Sequence, residues 1–503
     1  METPNPGTPI IVDIGSAYVK VGYAGEGEPR HVFPTIIGRE KYRTVMVDVD
    51  TRQLYVGDDA MKMRGVLKLS HPIERSQIME WDEYYEILNH IFYNLLRIES
   101  LSAYPVFYVD KLFVSKEIKE YIARVLFETH RAQSIIMIPS PILSCFSVGL
   151  TTGLVIESGD GETWVVPIIN GQIIEQAVER ISLAGMDVSH NLKSLLMREG
   201  INITSSAIDE IVREIKENHC FFVLDPNNPP KIDDQYSYTM PDGSTVSIPN
   251  HVLYEAPEVL FEPQMIGSNT KNITQAVLSS IQKVDKRYWG DMITHIALSG
   301  GNFMHSGFEE RLKIELANAL PQLGQIRKPY FKEEEVEQKK ELQPAQINNK
   351  TKDTCPKCGA LVDLSDGKTV CPECGAEMSI TQLNIDVNNN SQDLEDEIPE
   401  VCPSCGKDIN DRTSLFCPYC GEKLIQEEEE PQKPSSPPPA KEFFENSENI
   451  LKFFVPDNLQ YAIFTGAAIL GSLPSFQQLF ITEDIFQSNP DILYRDISQI
   501  FEK

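Results

Sequence analysis

Four Cys-Pro-x-Cys-Gly units are the strongest chemical signal in the chain. Cys355, Cys358, Cys371 and Cys374 form one set, spaced C-x2-C-x12-C-x2-C; Cys402, Cys405, Cys417 and Cys420 form a second, with 11 residues between its pairs. Cysteines at this spacing place two thiolates on one tetrahedral zinc, and two such pairs complete a four-sulfur site. The glycines that follow, Gly359, Gly375, Gly406 and Gly421, permit a turn in which backbone N–H groups point at the thiolates. Disulfides are the competing reading, but clustering within one stretch of a 503-residue chain favours metal. Pairing across the two sets would need a longer gap than pairing within them. Four-sulfur sites are closed, so the two Zn2+ expected here hold structure and do no chemistry. Cys145 and Cys220 stand alone and read as core residues on helical faces.

Two other segments resemble each other and suggest phosphate. Ile11-Val12-Asp13-Ile14-Gly15-Ser16 leads into Val19-Lys20-Val21-Gly22-Tyr23. Val155-Ile156-Glu157-Ser158-Gly159-Asp160-Gly161 leads into Thr163-Trp164-Val165-Val166. Each is an apolar strand, an acid, a glycine-bearing turn and a second strand. Such turns aim backbone N–H groups at an anion, since no Cβ blocks its approach. The acid at each strand end suits a hydrated Mg2+, which prefers oxygen ligands and keeps its waters. Alone, either segment reads equally as an ordinary hairpin; the duplication favours a pair of clamps around phosphates. A third strand, Ile296-Ala297-Leu298-Ser299, ends in Gly300 and Gly301 and would bring backbone close to a ligand.

The elements that must position these residues are mixed α/β. Residues 1 to about 328 alternate β-rich runs with helical patterns. One helix starts near Asp82, read as its N-cap, with Ile87, Leu88, Ile91, Phe92 and Leu95 at helical spacing. Another runs about 206–224, with Ile208, Ile211, Val212, Ile215 and Cys220 on one side. From 329 to 449 the character changes: acidic runs, an Asn-rich tract and a Pro/Ser linker, with 12 Lys/Arg against 26 Asp/Glu, a net of −14 out of −29 for the chain. That composition suits flexible arms around small metal-held modules. After it a globular pattern resumes, with a strand at 450–455 and a compact helix from Gly466 to Leu473. The 329–449 stretch is therefore read as an insertion into a loop. The overall negative charge disfavours nucleic acid and anionic membrane as partners. No secretion signal or bilayer-length apolar run is visible, so the cytoplasm is expected.

In their order and spacing these segments resemble the actin family over nearly all of 8–328 and 450–503. The similarity rests on Val12-Asp13-Ile14-Gly15-Ser16 with Gly22-Tyr23-Ala24-Gly25, on Tyr55-Val56-Gly57-Asp58-Asp59-Ala60, and on Pro72-Ile73-Glu74 with Trp81-Asp82. It continues through Thr151-Thr152-Gly153 with Ser158-Gly159-Asp160-Gly161, the helix around Glu210 to Glu217, Leu298-Ser299-Gly300-Gly301, and Pro474-Ser475-Phe476. The resemblance implies an α/β, actin-like two-lobed ATPase fold, its duplicated domains flanking a nucleotide cleft, with small zinc-ribbon modules inserted. The implied boundaries are 1–149 for the first lobe (outer subdomain about 35–72), completed by 462–503, and 150–328 for the second (outer subdomain about 184–272), completed by 450–461. The ribbons fall at 353–378 and 400–424.

The same resemblance implies roles for ATP or ADP and Mg2+. Gly15, Ser16 and Lys20 would contact the terminal phosphates, Asp13 would lie near the Mg2+, and Gly159, Asp160 and Gly161 would close the second side. Arg213, Lys216 and Glu217 would line base and ribose, with Gly300, Gly301 and Met304 opposite; without the resemblance, the charged trio reads as a solvated helix face. Four positions depart from the family. Actins carry Gln, Asp, His and Lys where this chain has Ser140, Glu157, Trp164 and Gln460. Ser140 is read as an N-cap before Pro141 at the first helical position, and indole takes up no proton. Phosphoryl transfer depends mainly on positioning, so binding is expected to persist and hydrolysis to be slow or absent.

Two readings of function follow. One is a cytoskeletal, filament-forming nucleotide switch, supported by Val45-Met46-Val47-Asp48, similar to the loop by which actins grip neighbours, with the ribbons binding partner proteins or controlling filament growth. The other is a non-polymerising actin-related scaffold, supported by the altered catalytic positions and by polar Ser268-Asn269-Thr270-Lys271 where actins have an apolar plug. A sugar kinase or chaperone on the same fold lacks supporting motifs.

Overall fold

The computed structural model describes residues 5–41, 54–201, 203, 208–226, 228–229, 235–240, 243–321, 323, 352–354, 361–363 and 451–495. All eight ribbon cysteines and the Val45–Asp48 segment lie outside the described residues. The chain divides into two compact units, 1–327 with 437–503, and 328–436. In the second, two short antiparallel strands are described, Lys352–Thr354 and Leu361–Asp363, with Lys352 opposite Asp363.

The first unit is built on two sheets of related design. One contains Ile10–Ile14 (β1), Tyr18–Tyr23 (β2), His31–Pro34 (β3), Pro105–Asp110 (β4) and Ser134–Pro139 (β5), in the order β5-β4-β1-β2-β3. The other contains Gly153–Ser158 (β6), Thr163–Ile169 (β7), Gln172–Ile173 (β8), Glu179–Ile181 (β9), Ile296–Ser299 (β10) and Phe453–Phe454 (β11). Its order is β8-β7-β6-β10-β11, with β9 also paired to β7. In each, an antiparallel hairpin comes first and its leading strand then runs parallel to a later one, β1 to β4 and β6 to β10.

Alternation along the strands divides the core. Ile10, Val12 and Ile14 face one cluster, and Leu154 and Ile156 face its counterpart in the other lobe. Ile11, Phe107, Val155 and Val166 point the opposite way, into a third cluster shared by both sheets. The chain passes from β5 to β6 through helix α1 (Ser140–Ser147). It enters α4 (Ala462–Ser472) after β11, and then Ile481 bridges back to Ile135 of β5. Both passages between lobes thus run through one helix pair. Between α1 and α4 in the chain lie α2 (Gly185–Arg198) and α3 (Ile208–His219). α1 and α4 touch backbone to backbone at Gly466, where an added Cβ would lie 1.9 Å from the Leu143 carbonyl oxygen.

Several element ends differ from the sequence reading. The helix expected near Asp82 begins at Trp81, after an extended Glu80 with no side-chain cap, so Asp82 sits in its first turn. Trp81 makes edge-on ring contacts with Tyr84 and Tyr121, at 5.7 and 4.6 Å. α3 ends at His219, and Cys220 is buried just beyond it, as is Cys145 within α1. The C-terminal strand is only Phe453–Phe454, an edge strand on β10, while α4 starts four residues earlier than expected. Lys271, in the polar segment 268–271, is tied to Glu179 at 2.9 Å. Among the described residues, no helix is long and apolar enough to cross a membrane.

Gly466→Val would force α1 and α4 apart. Overpacking of this kind costs about 3 kcal/mol, and the expected result is a lowered thermal midpoint in calorimetry.

Candidate functional site

The cleft floor is built by strand register. In the β1–β2 hairpin Asp13 lies directly opposite Lys20, which brings the ammonium 3.3 Å from Asp13 Oδ2. β4 runs parallel beside β1 and delivers Lys111 just past its end, with Nζ 3.2 Å from Asp13 Oδ1. Asp13 is 1% exposed. Burial alone would raise its carboxyl pKa, but Lys111 and Lys20 outweigh burial and hold it below the usual range. For Lys111 burial works against the charge, and Asp13 and Glu157 more than restore it.

The second hairpin repeats the geometry with different chemistry. Glu157 lies opposite Trp164, so no cross-strand cation reaches it. Its Oε1 accepts from Ser140 Oγ at 2.9 Å and its Oε2 from Ser144 Oγ at 3.4 Å. Burial pushes the Glu157 carboxyl above its ordinary pKa. The Ser140 hydroxyl therefore does not cap α1. Ser140 is the first residue of that helix, Pro139 is the capping position, and no side-chain cap bond forms. β5 runs straight into α1, and this turns Ser140 toward the neighbouring strand. Trp164 packs under the Arg180 guanidinium, 5.6 Å from the ring, and beside Phe113 at 5.8 Å.

Above the floor the two turns touch. A Cβ on Gly161 would come within 2.7 Å of Ser16 Oγ and 2.9 Å of Arg75 Cα, so only glycine fits. The Ser76 amide donates to Ser16 Oγ at 3.1 Å. Arg75 and Ser76 hold left-handed φ values of 45° and 62°. That turn sends the Arg75 guanidinium across to Asp187 in the first turn of α2, at 2.8 and 3.2 Å.

The walls come from the second lobe. Lys216 on α3 is buried and donates to Asp160 Oδ1 at 3.2 Å and to the Gly185 carbonyl at 3.1 Å. Tyr18 Oη donates across the cleft to Glu217 Oε2 at 2.9 Å. Gly300 has φ 107°, and a Cβ there would lie 2.2 Å from the Ser158 carbonyl oxygen. A Cβ on Gly159 or Gly301 would meet no atom within 4 Å, because both border the open cleft. Asn302 fixes the Gly159 carbonyl at 2.8 Å.

The cleft measures about 420 Å³. It brings together Asp13, Gly15, Ser16, Lys20, Ser140, Glu157, Gly159, Asp160, Gly161, Lys216, Glu217, Gly300, Gly301 and Met304, with Trp164 and Gln460. Arg213 is not in its lining; it is paired with Glu210 and lies 5.4 Å over the Tyr18 ring. Lys111, Ser76 and Asn302 line the cleft without a motif to announce them. A recess of about 600 Å³ behind β4 and β5 is walled largely by aliphatic and aromatic side chains such as Ile136, Phe113 and Leu493.

A family model described as actin matches residues 5–340. The chain belongs to the actin family. A second model, described as double zinc ribbon, matches residues 355–421, which span all eight paired cysteines. In this actin-family chain Asp13, the carboxylate expected near a hydrated Mg2+, is already engaged by lysines. Both oxygens of that carboxylate are ion-paired to lysines, and both oxygens of Glu157 accept from serines. Among the described residues, no three His, Cys, Asp or Glu side chains are grouped to hold a metal. A dication here would stand beside two ammonium charges that already neutralise Asp13.

Arg75→Ala removes the bond between the turn at 75–76 and α2. A partly exposed bidentate pair contributes about 1 kcal/mol, so the Ser76 amide should exchange about five times faster by hydrogen-exchange mass spectrometry.

Proposed function

We propose that this actin-family protein binds an adenine nucleotide between its lobes and acts as a nucleotide-dependent conformational switch of cytoskeletal type, with hydrolysis slow or absent. The observation that carries the reading is the meeting of two glycine-bearing turns over a floor holding two lysines. Triphosphate oxygens need N–H donors and positive charge, and the turn backbones, Lys20 and Lys111 supply both. The cleft volume lies within the range of small-molecule sites, about 300–1,000 Å³. Lys216, Glu217 and Met304 in the same lining suit a nucleoside.

The altered residues support slow turnover. The Ser140 hydroxyl is spent on Glu157, and Trp164 offers a packed indole that takes no proton. Neither is set to orient an attacking water. Two Zn2+ held by Cys355, Cys358, Cys371 and Cys374, and by Cys402, Cys405, Cys417 and Cys420, would shape the ribbons, which we assign to protein partners or filament control. The cytoplasm is the compartment that suits reduced thiolate ligands.

Calorimetric titration with ATP should give saturable binding, and a phosphate-release assay should show little turnover. Ser140→Gln combined with Trp164→His should raise phosphate release at least about tenfold, equivalent to about 1.4 kcal/mol of barrier. Absence of ATP uptake would refute the reading; rapid release by the unaltered protein would refute its second half.

The non-polymerising scaffold is a second reading, favoured by the tethering of Lys271 to Glu179 in the polar segment 268–271. Electron microscopy with ATP, on the full chain and on a chain lacking 329–449, separates the two. Filaments in either sample support the cytoskeletal reading, and single particles in both support the scaffold.

A further inference from the structure

We infer that Lys111 is a second phosphate-holding lysine that supplies charge a divalent cation would otherwise bring, so that the cleft takes up nucleotide with little dependence on Mg2+. This rests on the nucleotide reading above and concerns how that same site is neutralised.

The placement of Lys111 is built, not incidental. It follows β4, whose carboxyl end opens into the cleft beside the carboxyl end of β1, the usual place for ligands in parallel sheets. Its backbone N–H donates to Asp110 Oδ1 at 3.0 Å, and Asp110 is itself held by buried Lys119 at 2.8 Å. The backbone from which Lys111 projects is therefore pinned. Its side chain is 22% exposed and lines the cleft.

The local charge pattern asks for an anion. Lys20 and Lys111 flank a single carboxylate, one at each oxygen, at 3.3 and 3.2 Å. Each ammonium carries three N–H donors, and one suffices for Asp13. The others can turn to phosphate oxygens without leaving Asp13. Strand register sharpens the point. The hairpin repeat would place a partner for Lys20 at residue 164, where this chain has indole opposite Glu157. The second cation comes from β4 instead, and stands between the acids of both hairpins. Ammonium is a compact point charge suited to phosphate, and here it holds the Asp13 oxygen that would otherwise be open to a hydrated metal.

The test is ATP binding by calorimetry on the full chain, in buffer containing Mg2+ and in buffer freed of divalent ions beforehand by chelating resin, so that no chelator meets the ribbon cysteines. Expected for the unaltered protein is a change in Kd below about threefold between buffers, and for Lys111→Met a loss of at least about tenfold without Mg2+ that added Mg2+ largely restores. Lys111→Arg should behave as the unaltered protein. A loss above about tenfold in the unaltered protein without Mg2+ overturns the inference without needing any variant, as does Lys111→Met binding normally in metal-free buffer. If ATP binds but with equal metal dependence in both proteins, only the role of Lys111 falls; if ATP binds in neither buffer, the nucleotide reading falls with it.

Discussion

A carboxylate sealed from water is tolerable only with cations against it, and much of this cleft is arranged around that requirement at Asp13. The β1–β2 register must place Lys20 opposite it, and β4 must end where Lys111 can reach its other oxygen. A slip of one residue in β1 would part Asp13 from Lys20 and turn the core face of β1 outward. The same constraint sets the chemistry of the site. Two ammonium groups stand against the one Asp13 carboxylate, which is why the floor reads as an anion cradle more than as a metal cage.

The two halves share a plan but not its details. Asp13 answers to lysines, while Glu157, at the matching strand end, answers to Ser140 and Ser144 and keeps its proton to higher pH. The extra methylene of Glu157, the short Ser140 and the bulky Trp164 fit one another: the serines reach up to the carboxylate, and the indole fills the side of the hairpin where a smaller polar group would leave room. Of the three departures, Ser140 is bonded to Glu157 and Trp164 lies opposite Glu157 in the strand register.

Sequence reasoning was strongest where chemistry is local. Acid, glycine and lysine within ten residues define a hairpin, and the register that pairs Asp13 with Lys20 follows from the turn between them. Gly300 and Gly161 are legible as special positions, but the reading assigns them to a ligand, whereas the atoms that crowd them are the Ser158 carbonyl and Ser16 with Arg75. Lys111 was not legible, because its partner lies 98 residues away and nothing about a lone lysine after a strand marks it. Arg75 and Asp187, 112 residues apart, escaped for the same reason. The helix-cap reading of Ser140 fails by one residue, because the capping position falls on Pro139 at the strand end and leaves the Ser140 hydroxyl to Glu157. The Asp82 cap is misplaced by two residues: Glu80 precedes the helix and Trp81 is its first residue.

The Gly466 contact limits how the lobes can move. Two helices whose backbones meet through a missing side chain cannot slide lengthwise, because Ala467 or Ile463 would be driven into the space where Gly466 now clears the Leu143 carbonyl. Translation is blocked at that point. Each passage of chain between the sheets uses one of these helices, so both passages are locked together where Gly466 meets the Leu143 carbonyl.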